Sequence, residues 1–389
     1  MFRCQSGYTL QKIKDTYYLL PYGQQIADHK KALILNETSA FLWDTLQQLG
    51  SASSAVLTDR LAAHYPEEDV SRDQLLEDVS DLLSQMANLG FLIEELRPSS
   101  QFVPVHIKIA GLSLLLCGDP ALIPPQFVPF RVSEPAKFDA FSQKIEWICR
   151  RPFACCDARV LLQNEELAVL ESSDRYLVRF PQSDALMEAQ MTKDGSLVQI
   201  YYKSAAAEVL QEEIFHAVRL FFLFLAQKHG LFAMHSASIF YRGKAWLFSG
   251  HSGMGKTTHT ALWHTLFQTP YLNGDLNLIG IKDGTLLVYG IPWCGTSGLF
   301  TAETHVLGGI VLLGRDNHDH FVPFTQEEKV VRVLQRLISP AWTADQLLQN
   351  LNFSSEVSSR IPILQLLCTK QPSAAQSAKA EIDRLEDLP

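Results

Sequence analysis

The segment Gly250-His251-Ser252-Gly253-Met254-Gly255-Lys256-Thr257 constrains this chain more than any other. Three glycines stand ahead of a lysine and a threonine, the apolar run Ala245 to Ser249 precedes them, and a helical pattern opens at Lys256. An apolar strand that feeds a glycine-rich turn and then a helix is an α/β arrangement built around phosphate. The glycines allow bends that turn successive backbone N–H groups toward one point. The helix N-terminus adds partial positive charge at that point. Gly250, His251, Ser252, Gly253, Met254, Gly255, Lys256, Thr257 and Thr258 would then surround a phosphate chain. Lys256 would reach its outer phosphates, and the Thr257 hydroxyl would ligate Mg²⁺, a hard cation that prefers oxygen. ATP or a related nucleotide, with Mg²⁺, is the expected cofactor pair. The bland alternative is a glycine turn with a chance lysine, and the flanking strand–helix pattern weighs against it.

A phosphate loop does not by itself name a reaction. It requires an acidic group at the end of a nearby strand, and Asp275, after Tyr271-Leu272-Asn273-Gly274, is the candidate. Asp275 could hold Mg²⁺ or accept a proton from a hydroxyl nucleophile. The alternative is a turn aspartate in an Asn-Gly-Asp bend. The surrounding pattern predicts a hairpin over Ala237–Tyr241 and Ala245–Ser249 and a second over Leu278–Ile281 and Leu286–Tyr289. It also predicts a buried strand over Gly309–Leu313 and an amphipathic helix over Glu327–Leu337.

Upstream the patterning changes twice. Residues 1–95 read as a small winged-helix-like α+β unit. Strands are expected at Tyr17–Pro21 and Ala32–Leu35. A helix is capped by Asn36 and stopped by Gly50, a second covers Ser54–His64, and a third carries Leu75, Leu76, Val79, Leu82, Leu83, Met86 and Leu89 before Gly90. Three helices with little else suit an adaptor rather than an enzyme core. Residues 96–104 read as a linker. Residues 105–230 form a mostly β part, with runs at Ile107–Leu116, Arg159–Leu162, Leu167–Leu170, Arg175–Phe180 and Leu197–Tyr202, followed by a buried helix over Gln211–Gln227. Residues 231–389 are the nucleotide-binding core. The fold class is α/β, or α+β overall.

Charge and composition limit the partners. A net charge of −9 argues against broad nucleic-acid or anionic-membrane binding, which needs a basic footprint. The greasiest run, Ala217 to Ala226, is interrupted by Arg219 and falls short of the ~20 apolar residues of a membrane span. The first residues show no signal-peptide pattern. The seven cysteines contain no CxxC pair, and Cys155-Cys156 are adjacent, so reduced thiols in a cytoplasmic protein are expected. Arg315-Asp316-Asn317-His318-Asp319-His320 could pass for a metal cluster, but its turn-forming composition reads as a solvated loop. The acidic stretch Pro66 to Asp69 reads the same way. Of His259 and His264 on the helix after the glycine loop, one would face solvent.

Beyond the glycine loop, Met234-His235-Ser236-Ala237-Ser238, Phe248 to Thr260, Leu262-Trp263, Asn273-Gly274-Asp275, Tyr289 to Gly295 and Ile361 to Leu366 occur in an order that resembles the HPr kinase-related family, more narrowly its members in peptide natural-product pathways. The resemblance covers roughly residues 105–385. It implies transfer of the γ-phosphoryl group of ATP to a serine or threonine hydroxyl of a peptide. Asp275, Lys256 and His235 would be its catalytic residues, and Thr257 and Asp275 its metal-binding pair. Trp293 and Cys294 would lie in a loop shaping the acceptor site, with core packing the alternative for Trp293. Separately, Leu35 to Trp43 and the third helix through Leu92 resemble the PqqD-like precursor-peptide recognition element. This implies a leader peptide added as a strand to a sheet edge. Partner modification enzymes and an oligomer fit the same picture.

Two departures stand out. The resembled kinases usually carry two adjacent acids where this chain has Gly274-Asp275, and often a basic residue where it has Ala261. A catalytically weak, nucleotide-binding carrier that delivers peptide to a partner enzyme is therefore the second expectation. A kinase acting on a whole protein or small molecule is the third.

Overall fold

A computed structural model describes residues 1–66, 70–95, 104–132, 142–152, 155, 158–251 and 253–387. Ser252, most of the expected linker (96–103), the acidic residues 67–69 and Cys156 lie outside the described residues. The chain divides into two compact units, Met1–Ser99 with Ile148–Ser204, and Ser100–Trp147 with Ala205–Pro389. The stretch 105–230, expected as one β-rich part, is thus shared between them.

The first unit opens with a three-stranded antiparallel sheet of Tyr8–Ile13, Thr16–Pro21 and Leu33–Leu35, and a two-stranded one of Phe2–Cys4 with Leu92–Glu94. Three of these five strands, Phe2–Cys4, Tyr8–Ile13 and Leu92–Glu94, were not expected; two of them span only three residues, too few to show a period. The helices Glu37–Leu49, Ser54–His64 and Arg72–Asn88 begin at caps in which Asn36, Ser53 and Ser71 accept from backbone N–H groups three residues on. Their apolar faces bury Leu42, Trp43, Leu46, Leu57 and Leu83 against Leu19. The same unit holds an antiparallel meander of Arg159–Gln163, Ala168–Glu171, Arg175–Arg179, Leu186–Thr192 and Leu197–Tyr202. Arg175, only 4% exposed, helps join the meander to the N-terminal strands. Its guanidinium donates to the Glu94 carbonyl, to Gln190 and to Asp174.

In the second unit the apolar run from Ile107 to Leu116 lies in a hairpin. It turns at Ala110-Gly111, both at positive φ, between Val105–Ile109 and Leu112–Cys117. The helix Ala207–Lys228 is apolar around most of its circumference and buries Phe221 and Phe222 completely. In the C-terminal part of this unit the pairings run in a ring. Lys244–Ser249 lies antiparallel to Leu231–Tyr241, which pairs with Leu276–Lys282, then Thr285–Tyr289, then Thr304–Arg315, which returns in parallel to Lys244–Ser249. Ile363–Cys368 extends the sheet in parallel, and His320–Val322 closes its edge. Two long helices of this unit were not expected, Ala344–Arg360 and Pro372–Glu386. The first announces itself through a capping box, Thr343 with Gln346, that pattern reading passed over.

The helix Lys256–Phe267 packs His259 and Trp263 against Phe248, and Trp263 Nε1 donates to His259 Nε2 at 3.2 Å. His259 is therefore a core residue, while the His264 ring is held by the Thr269 carbonyl at 3.0 Å. Burial pushes the His259 imidazole down to about 4 from an ordinary 6.5, with Asp319 opposing weakly. An unfolded chain then binds more protons than the folded one between those two values, so stability falls as pH drops through that window. His259→Gln keeps an acceptor for Trp263 but cannot titrate. Its loss of Tm between neutral pH and about pH 5 is expected to be smaller than that of the wild type, and equal losses would refute the assignment.

Candidate nucleotide site

The strand Lys244–Ser249 delivers the glycine loop, and Lys256 is the first residue of the helix that leaves it. Gly253 and Gly255 stand at φ 76° and 91°, a region costly for residues with a Cβ. Gly255 caps the helix without any side-chain bond, and the first turn holds no acid. The leading amides thus have no internal anion and a lysine beside them, the opposite of what a helix dipole prefers. An external anion resolves both, so this cradle fits a phosphate chain.

Three of the expected residues converge. Lys256 Nζ lies 2.8 Å from His235 Nε2, and His235 Nδ1 faces Asp275 Oδ1 at 3.4 Å. An ammonium can only donate, so Nε2 accepts and the ring proton sits on Nδ1, toward the carboxylate. Burial, and next Lys256, hold His235 below its ordinary pKa, while Asp275 pulls the other way. Burial also lowers the Lys256 pKa, with Asp275 opposing and Arg336 assisting. The Thr257 side chain is exposed. Among the described residues no set of three His, Cys, Asp or Glu side chains forms a metal cluster, so a cation here would rest on the Thr257 hydroxyl, Asp275 and the phosphates.

The placement of His235 and Asp275 follows from sheet register. His235 sits mid-strand in Leu231–Tyr241 opposite Leu276, and Ser236 N donates to the Asp275 carbonyl at 2.9 Å. Asn273 builds the bend. Its Oδ1 accepts from Asp275 N and Leu276 N, and its Nδ2 donates to the Ile291 carbonyl at 3.0 Å. Asp275 thus sits in an Asn-Gly-Asp bend and at the same time faces His235.

Gly274 has a steric cause. A Cβ there would lie 1.9 Å from Ser297 Oγ and 2.6 Å from Ser297 Cβ. Ser297 is itself fixed, donating to the Cys294 carbonyl at 2.7 Å and accepting from Leu299 N at 3.2 Å. With this loop in place a second acid cannot stand beside Asp275. Gly274→Ala is expected to cost about 1–3 kcal/mol by overpacking, and adding Ser297→Gly to recover part of it, read as Tm. A single variant as stable as the wild type would show that the loop yields freely.

Two cations were not anticipated. Arg336 Nη1 donates to His251 Nδ1 at 3.1 Å, and the Arg336 carbonyl accepts from His235 N at 2.9 Å. Arg315 donates to the Gly253 carbonyl. The helix expected over Glu327–Leu337 runs only Gln326–Leu334, because Arg336 and Leu337 bond to the His235 strand instead. No sequence signal marks Arg336, whose position depends on this tertiary exchange. Among the described residues neither Arg336 nor Lys256 has a carboxylate within salt-bridge distance. Trp293, by contrast, is core. It is 1% exposed, donates to the Phe215 carbonyl at 3.0 Å and packs on Phe127, Phe215 and Phe222. Burial of the neighbouring Cys294 raises its thiol pKa. In the loop Arg315 to His320, Asp319 accepts from Thr369 N at 2.7 Å and from the Ser373 hydroxyl, a structural anchor.

Comparison with known proteins bears on the N-terminal region first. The family model described as Coenzyme PQQ synthesis protein D (PqqD) matches residues 24–92. This stretch is a PqqD-like domain. No curated protein matches the chain. Among solved structures, the chain is similar to "TbiB1 in Complex with the TbiA(beta) Leader Peptide" at 19% identity, over 24% of this chain and 99% of that one, with a TM-score of 0.20. It is also similar to the "Structure of the Hpr(Ser) kinase/phosphatase from Coxiella burnetii" at 8% identity, over 40% of this chain and 94% of that one, with a TM-score of 0.23. No helix among the described residues is long and apolar enough to cross a membrane.

Proposed function

We propose that the chain transfers the γ-phosphoryl group of ATP to a serine or threonine hydroxyl of a ribosomally made precursor peptide whose leader is held by the PqqD-like domain. The Lys256–His235–Asp275 chain at the mouth of the glycine loop carries the reading, since it sets a cation, a neutral imidazole and a carboxylate side by side. Lys256 leaves His235 to meet the β- and γ-phosphates. The acceptor oxygen forms a bond to the γ-phosphorus, the bond from that phosphorus to the β–γ bridging oxygen breaks, and the hydroxyl proton passes to Asp275. His235, proton on Nδ1, orients the Asp275 carboxylate. Mg²⁺, held through Thr257 and Asp275, would neutralise charge on the transferred group.

The PqqD-like match supports the peptide part. In that domain Leu33–Leu35 pairs on one side with Thr16–Pro21, and Ile34 on it is 65% exposed. A peptide strand added there would gain backbone hydrogen bonds and cover Ile34. Holding the leader makes the second encounter intramolecular. The test is to incubate the protein with ATP, Mg²⁺ and candidate precursor peptides and to measure intact peptide mass. A gain of one phosphate is expected, and Ile34→Lys should weaken leader binding about tenfold or more. Nucleotide and leader binding with no mass change would favour the carrier reading, which the missing acid at Gly274 motivates.

A further inference from the structure

The phosphate loop accounts for only part of a nucleotide. The parallel strands Lys244–Ser249, Thr304–Arg315 and Ile363–Cys368 lie side by side and end at the same edge of the sheet. The first is followed by the glycine loop, the other two by the turns at Asp316-Asn317 and Thr369-Lys370. Between these turns and the glycine loop lies a cleft of about 540 Å³, lined by Met254, Arg315, Asp316, Asn317, Thr369 and Lys370 among others. Ligands of such sheets bind beyond the carboxyl ends of the strands, and small-molecule pockets span roughly 300–1,000 Å³.

We infer that this cleft takes the base and ribose of the nucleoside triphosphate whose phosphates the glycine loop holds, an inference that rests on the nucleotide reading above. Met254 belongs to both the loop and the cleft, so one ligand can occupy both. Arg315 fixes the two against each other through the Gly253 carbonyl. The Met254 thioether offers a soft, polarizable surface for a base. The Asn317 carboxamide, which makes no side-chain hydrogen bond among the described residues, presents a donor and an acceptor to a base edge. The Asp316 carboxylate accepts from Asn317 N at 2.5 Å through Oδ1, and its Oδ2, 4.0 Å from His320 Nε2, has lone pairs to offer ribose hydroxyls.

The test compares Mg²⁺-ATP with Mg²⁺-tripolyphosphate, which lacks the nucleoside, by calorimetry on the full chain. The wild type is expected to bind ATP at least about tenfold more tightly, or ~1.4 kcal/mol. Asn317→Ala should narrow that ratio, and Asn317→Trp, which fills the cleft, should bring it close to one. Both should leave tripolyphosphate affinity unchanged. A ratio that survives both variants, or one already near one in the wild type, overturns the inference while leaving the phosphate site intact. A wild type that binds neither ligand overturns the nucleotide reading itself, a distinct result.

Discussion

Lys256→Ala is expected to lower phosphoryl transfer by on the order of 10²–10³-fold or more, the scale on which removal of one preorganised donor acts. The ammonium is buried and, among the described residues, has no carboxylate within salt-bridge distance, so its hydrogen-bonded neighbour is the neutral face of His235. Burial of a charge that no carboxylate touches is unfavourable, and burial lowers the Lys256 pKa although the more distant Asp275 charge opposes it. The side chain therefore does not stabilise the ligand-free fold. The same variant should keep or raise the Tm while losing nucleotide affinity and turnover together. Retained turnover, or a lost fold, would remove Lys256 from the role assigned to it.

Asp275→Asn should act differently. The amide keeps the size of the carboxylate, and the backbone bonds of the bend, from Asn273 Oδ1 to the Asp275 amide and from the Asp275 carbonyl to Ser236 N, do not involve its side chain. Folding should persist. Transfer to peptide should fall about 10²–10⁴-fold, the range a positioned general base supplies. Because Gly274 leaves no neighbouring acid to take over, little residual activity is expected. Turnover equal to the wild type would mean that the acceptor proton leaves by another route, and would turn attention to His235.

Much of this site could be read from the chain alone. Glycines at 250, 253 and 255 ahead of Lys256, after an apolar strand, state a local geometry that needs no distant partner. The three N-terminal helices were equally legible, since caps and apolar periodicity are local signals, and Ser54–His64 has the expected bounds. Short edge strands such as Phe2–Cys4 were not, because three residues carry too little period to register.

By itself, the sequence determined the glycine loop between a strand and a helix, the three N-terminal helices and that the fold mixes helix with sheet, because each follows from residues within a few positions of one another. Tertiary structure decided what those elements meet. It placed His235 against Lys256 and turned its Nδ1 toward Asp275. It sank Trp293 into the core, released Arg336 from its helix toward His251, and filled the space beside Gly274 with Ser297. The physical reason is separation along the chain. Each of these contacts joins residues at least twenty positions apart, and a choice of that kind is settled by sheet register and competing hydrogen bonds, which no local pattern records.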